Sequence, residues 1–149
     1  MAKKSAGILV YRQQGSEMQV LLAHPGGPFW AKKDLGVWSI PKGEYTDEAP
    51  IDAARREFKE ETGMEVKGTL LPLHPIKQKD GKTVHAWAVE MDIDVSKVVS
   101  NTFEMEWPPR SGQRKAFPEI DRVEWYSIAE AKEKIIPAQV PLIEELAGE

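Results

Sequence analysis

GEYTDEAPIDAARREFKEETGM, running from Gly43 to Met64, is the stretch whose reading decides the fold. Within it Glu57, Glu60 and Glu61 recur at helical spacing. At ~100° per residue they fall within roughly 100° of arc on one side of a helix. Ile51, Ala54 and Phe58 occupy a neighbouring arc and can face a core. Like charges so placed repel by about 0.2–0.5 kcal/mol per pair, and a cation among them relieves this. Carboxylate oxygens suit hard divalent ions such as Mg²⁺ or Mn²⁺. The cluster therefore suggests a metal site, and a metal site suggests phosphate chemistry.

The punctuation around this stretch predicts a helix from about Glu48 to Thr62. Asp47 is the expected N-cap, Pro50 suits the first turn, and Gly63 suits a left-handed stop. Upstream, Ala6–Arg12 and Gln19–His24 read as a hairpin around Gly15-Ser16, and Val37–Ile40 as a short strand. Phe29–Gly36 reads as a loop. Downstream, Leu70–Lys77 and Lys82–Asp92 flank the turn signal Asp80-Gly81. Pro72 and Pro75 make the first of these an irregular edge. Asn101–Phe117 is expected to be a loop because of Pro108-Pro109 and Ser111-Gly112, and its length favours a functional role. Arg122–Tyr126 returns to strand. Ser127 with Glu130 forms a capping box opening a helix to about Lys134, and a last helix covers roughly Ala138–Leu146. The order is α/β (α+β in the broader sense): a mixed β-sheet between helices, with no internal repeat.

The 149 residues suit one domain, 1–149, with one core. Apolar content of 41% and charged content of 30% are ordinary for a soluble globular chain. The net charge of −4 gives no general attraction for DNA or an anionic membrane. No apolar run reaches the ~20 residues that span a bilayer, and the N-terminal run is interrupted by Arg12, as expected of a strand and not of a signal peptide. The chain has no cysteine, which excludes disulfides and thiol catalysis and fits a cytoplasmic protein.

The central stretch resembles the Nudix box: G, five residues, E, seven residues, then R-E-U-x-E-E-x-G-U, with U a bulky aliphatic. Arg56-Glu57-Phe58-Lys59-Glu60-Glu61-Thr62-Gly63-Met64 matches the second half, with Phe58 in an aliphatic position, and Glu48 stands where the pattern asks. Gly43 and Glu48 are separated by one residue fewer than in the family, a shortening confined to the loop. The resemblance covers most of the chain and implies an α/β/α sandwich. It also implies a Mg²⁺- or Mn²⁺-dependent pyrophosphohydrolase, MutT-like or dinucleoside-polyphosphate-hydrolase-like, that uses metal-activated water on a nucleotide-like small molecule. Glu57, Glu60 and Glu61 would hold the metal together with the backbone carbonyl of Lys42, whose side chain is free to reach a phosphate. Arg56 would orient carboxylates such as Glu48 or Glu60.

In the dinucleoside-polyphosphate branch a catalytic Glu lies shortly before a strand ending in Trp. That role passes to Glu119 ahead of Trp125, with Asp121 and Glu124 as competitors. Arg110, Arg114 and Lys115 form a basic cluster that could grip a polyphosphate or be an ordinary solvated loop. Lys32 and Lys33 are similar but weaker. Phe29, Trp30 and Trp107 could stack on a base or pin loops to the core, whereas Trp38, Trp87 and Trp125 read as core. His24, His74 and His85 lack metal-ligand spacing and read as satisfied strand or loop residues. Dinucleoside polyphosphates and nucleoside triphosphates are the favoured substrates. Nucleotide sugars, ADP-ribose and a catalytically silent binding module are the alternatives, and a homodimer, common in the family, remains open.

Overall fold

Alternation along two long strands builds the centre of the molecule, described over residues 3–149 by a computed structural model. Strand β1 (Lys4–Gln14) turns into β2 (Glu17–Pro25). Successive side chains point to opposite faces. Ala6, Ile8, Val10, Leu21 and Ala23 join one buried cluster, while Leu9, Val20 and Leu22 join another. Helix α1 (Pro50–Thr62) covers the first face through Ala53, Ala54 and Phe58. Helices α2 (Ile128–Lys134) and α3 (Val140–Ala147) cover the second through Ala131, Leu142 and Ile143. The layers are therefore helix, sheet, helices, and each sheet face carries its own core.

The sheet is mixed. Strand β6 (Thr83–Glu90) runs parallel to β1, and β2 runs antiparallel to both β1 and β9 (Ile120–Ser127). Short β3 (Lys42–Glu44) pairs with the first half of β1. Gly7 allows this, because a side chain there would sit 2.6 Å from Lys42 Cβ and from the Pro41 oxygen. At the other edge, only β4 (Leu71–Pro72) and β5 (Ile76–Lys77) pair with β6, the broken edge expected from the prolines. Ser127 caps α2 by accepting from the Glu130 N–H at 3.2 Å, as the capping box requires.

Four expectations need correction. Helix α1 begins at Pro50, and its N-cap is Ala49 without a side-chain bond. Proline forces the preceding residue extended, with Ala49 at ψ 140, so neither Glu48 nor Asp47 belongs to the helix start. Val37–Ile40 pairs through the isolated bridges Ala23↔Ser39 and Trp38↔Ile135 instead of as a continuous strand. The last helix starts at Val140, after a 3₁₀ turn over Pro137–Gln139. Asn101–Phe117 is mainly a hairpin, not a loop: β7 (Thr102–Glu106) pairs with β8 (Arg114–Pro118). The alternation of Phe103 and Met105 with Glu104 and Glu106 sustains it, and the prolines and Gly112 are confined to its tip.

Candidate active site

Helix α1 presents its acidic flank to β3 and to Glu119, the residue before β9. Glu57 is buried against the backbone of Gly43. A Cβ on Gly43 would lie 2.1 Å from the Glu57 carboxyl carbon, so only glycine admits this approach. One turn on, Glu61 Oε1 accepts the Lys42 N–H at 3.1 Å. Gly63 then ends the helix at φ 76, and its N–H donates to the Lys59 carbonyl at 2.7 Å.

Arg56 organises the outer side of this cluster. Its Nε and Nη2 donate to the two Glu48 carboxylate oxygens, at 2.9 and 2.6 Å in the shortest contacts. Its Nη1 donates to Glu57 at 2.9 Å and to Glu60 at 3.1 Å. The Glu48 hydrogen bond leads in pushing the guanidinium further above its ordinary range and holds the Glu48 carboxyl below its own. The sequence proposed Glu48 or Glu60 as partners of Arg56; it binds both, and Glu57 as well.

The inner carboxylates behave in the opposite way. Burial, followed by the charges of Glu57 and Glu119, pushes Glu61 up to about 8 despite the Lys42 N–H bond. Burial and then Glu60 raise Glu57. Burial and then Glu60 also raise Glu119. Burial, followed by the charge of Lys82, lowers the Lys42 ammonium, which Glu61 partly counters. The inner face is thus a set of hard oxygen donors short of compensating charge.

Glu61, Glu119 and Lys42 line one cleft of about 430 Å³. Its walls include Trp30, Val37, Phe103 and Ile120. Gly26 contributes to the lining, and a Cβ on it would strike the Pro118 carbonyl at 1.9 Å. Its N–H donates to the Glu119 carbonyl at 2.9 Å, which fastens the turn carrying Glu119 to the end of β2.

Among the competitors of Glu119, Asp121 turns away to the buried His24, at 2.8 Å. Glu124 accepts from the Tyr126 hydroxyl at 2.7 Å. A bulge separates these fates, for the β2–β9 register slips between His24 and Pro25. Arg110, Arg114 and Lys115 lie on the β7–β8 hairpin, exposed and outside the cleft lining, with Arg114 Nε 3.4 Å from Glu104. Lys32 and Lys33 are also exposed and outside the lining. Of the loop aromatics, Phe29 meets Trp107 edge-on at 6.3 Å, whereas Trp30 is 41% exposed and faces the cleft. Trp38 is buried, and Trp87 and Trp125 pack against the other core. His74 bonds Glu145, and His85 lies beside Tyr45.

Sequence reading missed Phe103 as a cleft residue because its segment was taken for a loop. The alternation from Thr102 to Glu106 was the available signal. Val37 and Ile120 carried none, since only the fold brings them to the cleft.

The family model of the NUDIX domain matches residues 1–146. An RNA pyrophosphohydrolase of Brucella anthropi is 30% identical over 128 residues, covering 75% of this chain and 68% of that protein. Among solved structures, the NUDIX domain of Shewanella oneidensis NrtR complexed with ADP ribose superposes with a TM-score of 0.69. It is 15% identical, with 99% of this chain and 88% of that one covered. A C. elegans Ap4A hydrolase in a binary complex gives a TM-score of 0.68 at 20% identity, with 97% and 96% covered. The chain belongs to the Nudix family. It is a hydrolase acting on pyrophosphate bonds, in a family that generally uses divalent metals. None of its helices is long and apolar enough to cross a membrane among the described residues.

Proposed function

We propose that this protein hydrolyses a phosphoanhydride bond in a nucleoside diphosphate derivative, with dinucleoside polyphosphates or nucleoside triphosphates as substrates and Mg²⁺ or Mn²⁺ as cofactor. The observation that carries this reading is the cleft, where Glu61, Glu119 and Lys42 share one wall system with Trp30 and Phe103. Charged groups suited to a phosphate chain thus adjoin aromatic surface suited to a planar base. The similarity to an Ap4A hydrolase and to an RNA pyrophosphohydrolase supports the same bond type. The ADP-ribose complex of a structural neighbour keeps ADP-ribose and nucleotide sugars as the alternative substrates.

The donor set fits a hard divalent cation. Glu57 and Glu61 offer buried carboxylate oxygens, and burial first, then neighbouring carboxylates, raises both. Among the described residues no three acidic or imidazole groups already stand together as a ligand set, and Arg56 bridges Glu57 to Glu60. Glu57, Glu60 and Glu61, with the Lys42 carbonyl, would hold the ion once the Arg56 bonds to Glu57 and Glu60 loosen. A bound ion would supply charge neutralisation at the phosphoryl oxygens and easier deprotonation of water.

The chain's own groups then have separate tasks. Lys42 lines the cleft, and its ammonium would pair there with a phosphate oxygen. Glu119 faces the cleft with a carboxyl raised by burial, suited to take a proton from an attacking water. Arg56 stays anchored on Glu48 and keeps the acidic flank of α1 in register. Trp30, Phe103 and Ile120 give the cleft an apolar wall beside these charged groups. A product-resolved screen of nucleotide derivatives with Mg²⁺ or Mn²⁺ tests the proposal. Turnover of dinucleoside polyphosphates or triphosphates, lost in Glu119→Gln and Glu61→Gln, is expected. Full turnover in chelator, or in both variants, refutes it.

A further inference from the structure

His24 is fully buried at the end of β2, directly before the cleft residues Pro25 and Gly26. Its Nε2 lies 2.7 Å from the Lys33 carbonyl oxygen, and its Nδ1 lies 2.8 Å from Asp121 Oδ1. A carbonyl oxygen only accepts, so Nε2 carries a proton and donates it. A second proton lies between Nδ1 and the carboxylate, whichever of the two holds it. Packing alone would not require such a residue here. The ring sits edge-on to Trp38 at 5.0 Å, a contact an apolar side chain could also make, though it would leave both oxygens without this partner.

The two acceptors belong to different walls of the cleft. Lys33 lies in the loop that presents Trp30: its N–H donates to the Trp30 carbonyl at 2.9 Å, and its ammonium sits 5.2 Å from the Trp30 ring centre. Asp121 is the extra residue of the bulge. His24 pairs with Arg122 and Pro25 with Ile120, which leaves Asp121 without a strand partner and free to turn inward. Bulges re-aim neighbouring side chains. Two residues before Asp121, Glu119 faces the cleft.

We infer that His24 is a positioning residue, which sets the Glu119 carboxylate through Asp121 and sets the Trp30 wall through the Lys33 carbonyl. The inference rests on the catalytic reading of this cleft given above. It requires a side chain with two hydrogen-bonding nitrogens pointing opposite ways, and imidazole supplies both from one ring. An asparagine amide reaches the place of Nδ1 only, and a glutamine amide the place of Nε2 only. The two substitutions therefore sever one bond each.

The test compares His24→Asn, His24→Gln and Asp121→Ala in full-length protein with Mg²⁺, on the nucleotide derivative that the wild type turns over fastest. Assays run well below each variant's Tm. His24→Gln and Asp121→Ala free Glu119, so kcat falls by about tenfold or more while KM stays within about threefold. His24→Asn frees the Trp30 loop, so KM rises by about tenfold with a smaller change in kcat. Amide hydrogen exchange provides a readout independent of turnover. It should rise around residues 117–121 in His24→Gln and around 30–36 in His24→Asn. A filler of the core would give neither crossed pattern, so variants that lose Tm while kcat and KM stay together overturn the inference. Should the His24 variants fail to fold, Asp121→Ala decides, since that side chain is 31% exposed; an unchanged kcat there also overturns it. A wild type inactive on every nucleotide would refute the catalytic reading instead, and the exchange pattern would still judge the positioning of the two walls.

Discussion

Replacing Glu61 by Gln should stabilise the metal-free protein while abolishing its response to magnesium. Glu61 is 8% exposed and raised from an ordinary 4.5 to about 8, chiefly by burial. The folded state therefore binds a proton that the unfolded chain has released. Stability contributed by this carboxyl is complete below about pH 4.5, declines as pH rises, and is lost above about pH 8. At ~1.4 kcal/mol per pH unit the ceiling is about 5 kcal/mol. Relaxation and water entry reduce such penalties, so about 2 kcal/mol is the working expectation. For a chain of 149 residues that is a Tm difference of about 6 °C. Glutamine keeps the oxygen that accepts from the Lys42 N–H and carries no charge to bury. In chelator the variant should match the wild type at pH 4 and melt higher at pH 8.5. Added Mg²⁺ should then raise the wild-type Tm by mass action and leave the variant unmoved. Calorimetry or dye-monitored melting at both pH values suffices. A variant less stable than wild type at pH 8.5 in chelator would refute the reasoning, as would an equal gain from Mg²⁺.

Gly43→Ala places a methyl where the Glu57 carboxyl lies, 2.1 Å away, so that flexible carboxylate must swing aside and kcat should drop by at least about tenfold with little loss of stability; steady-state kinetics and urea melts check both. Arg56→Lys loses the fork that spans Glu48, Glu57 and Glu60, and a single ammonium cannot replace it. Metal affinity measured by titration calorimetry should change while the far-UV spectrum does not, and unaltered affinity would separate Arg56 from the acidic cluster. Arg114→Ala with Lys115→Ala removes cations outside the cleft, three and two register steps beyond the Phe103↔Phe117 pair. KM should rise for long dinucleoside polyphosphates and stay unchanged for nucleoside triphosphates, and a uniform effect on both would show that the hairpin cations do not reach the substrate.

Properties carried by neighbours along the chain were legible in the sequence. The acidic flank of α1 follows from helical spacing, its end from Gly63, the α2 cap from Ser127 and Glu130, and the two-faced centre from the period of two in β1 and β2. These features need only a few residues of context, and they were enough to state a mixed sheet between helices; the sandwich and the family came from the resemblance of Gly43–Met64 to the Nudix box. Even locally, one rule overrode another: the constraint of Pro50 on Ala49 displaced the cap expected at Asp47.

Contacts between distant segments were decided by the tertiary structure alone. The resemblance favoured Glu119 but left Asp121 and Glu124 as competitors, and a bulge against β2 separates them by giving Asp121 to His24 and leaving Glu119 on the cleft. Trp30, Phe103 and Glu61 meet because helix, hairpin and loop converge on one end of the sheet. The same burial makes Glu61 hold its proton to about pH 8, a property absent from any exposed carboxylate of the same spacing. Periodicity encodes which face of an element is apolar; solvent exclusion and the pairing of side chains remote in sequence arise only when the faces close on one another.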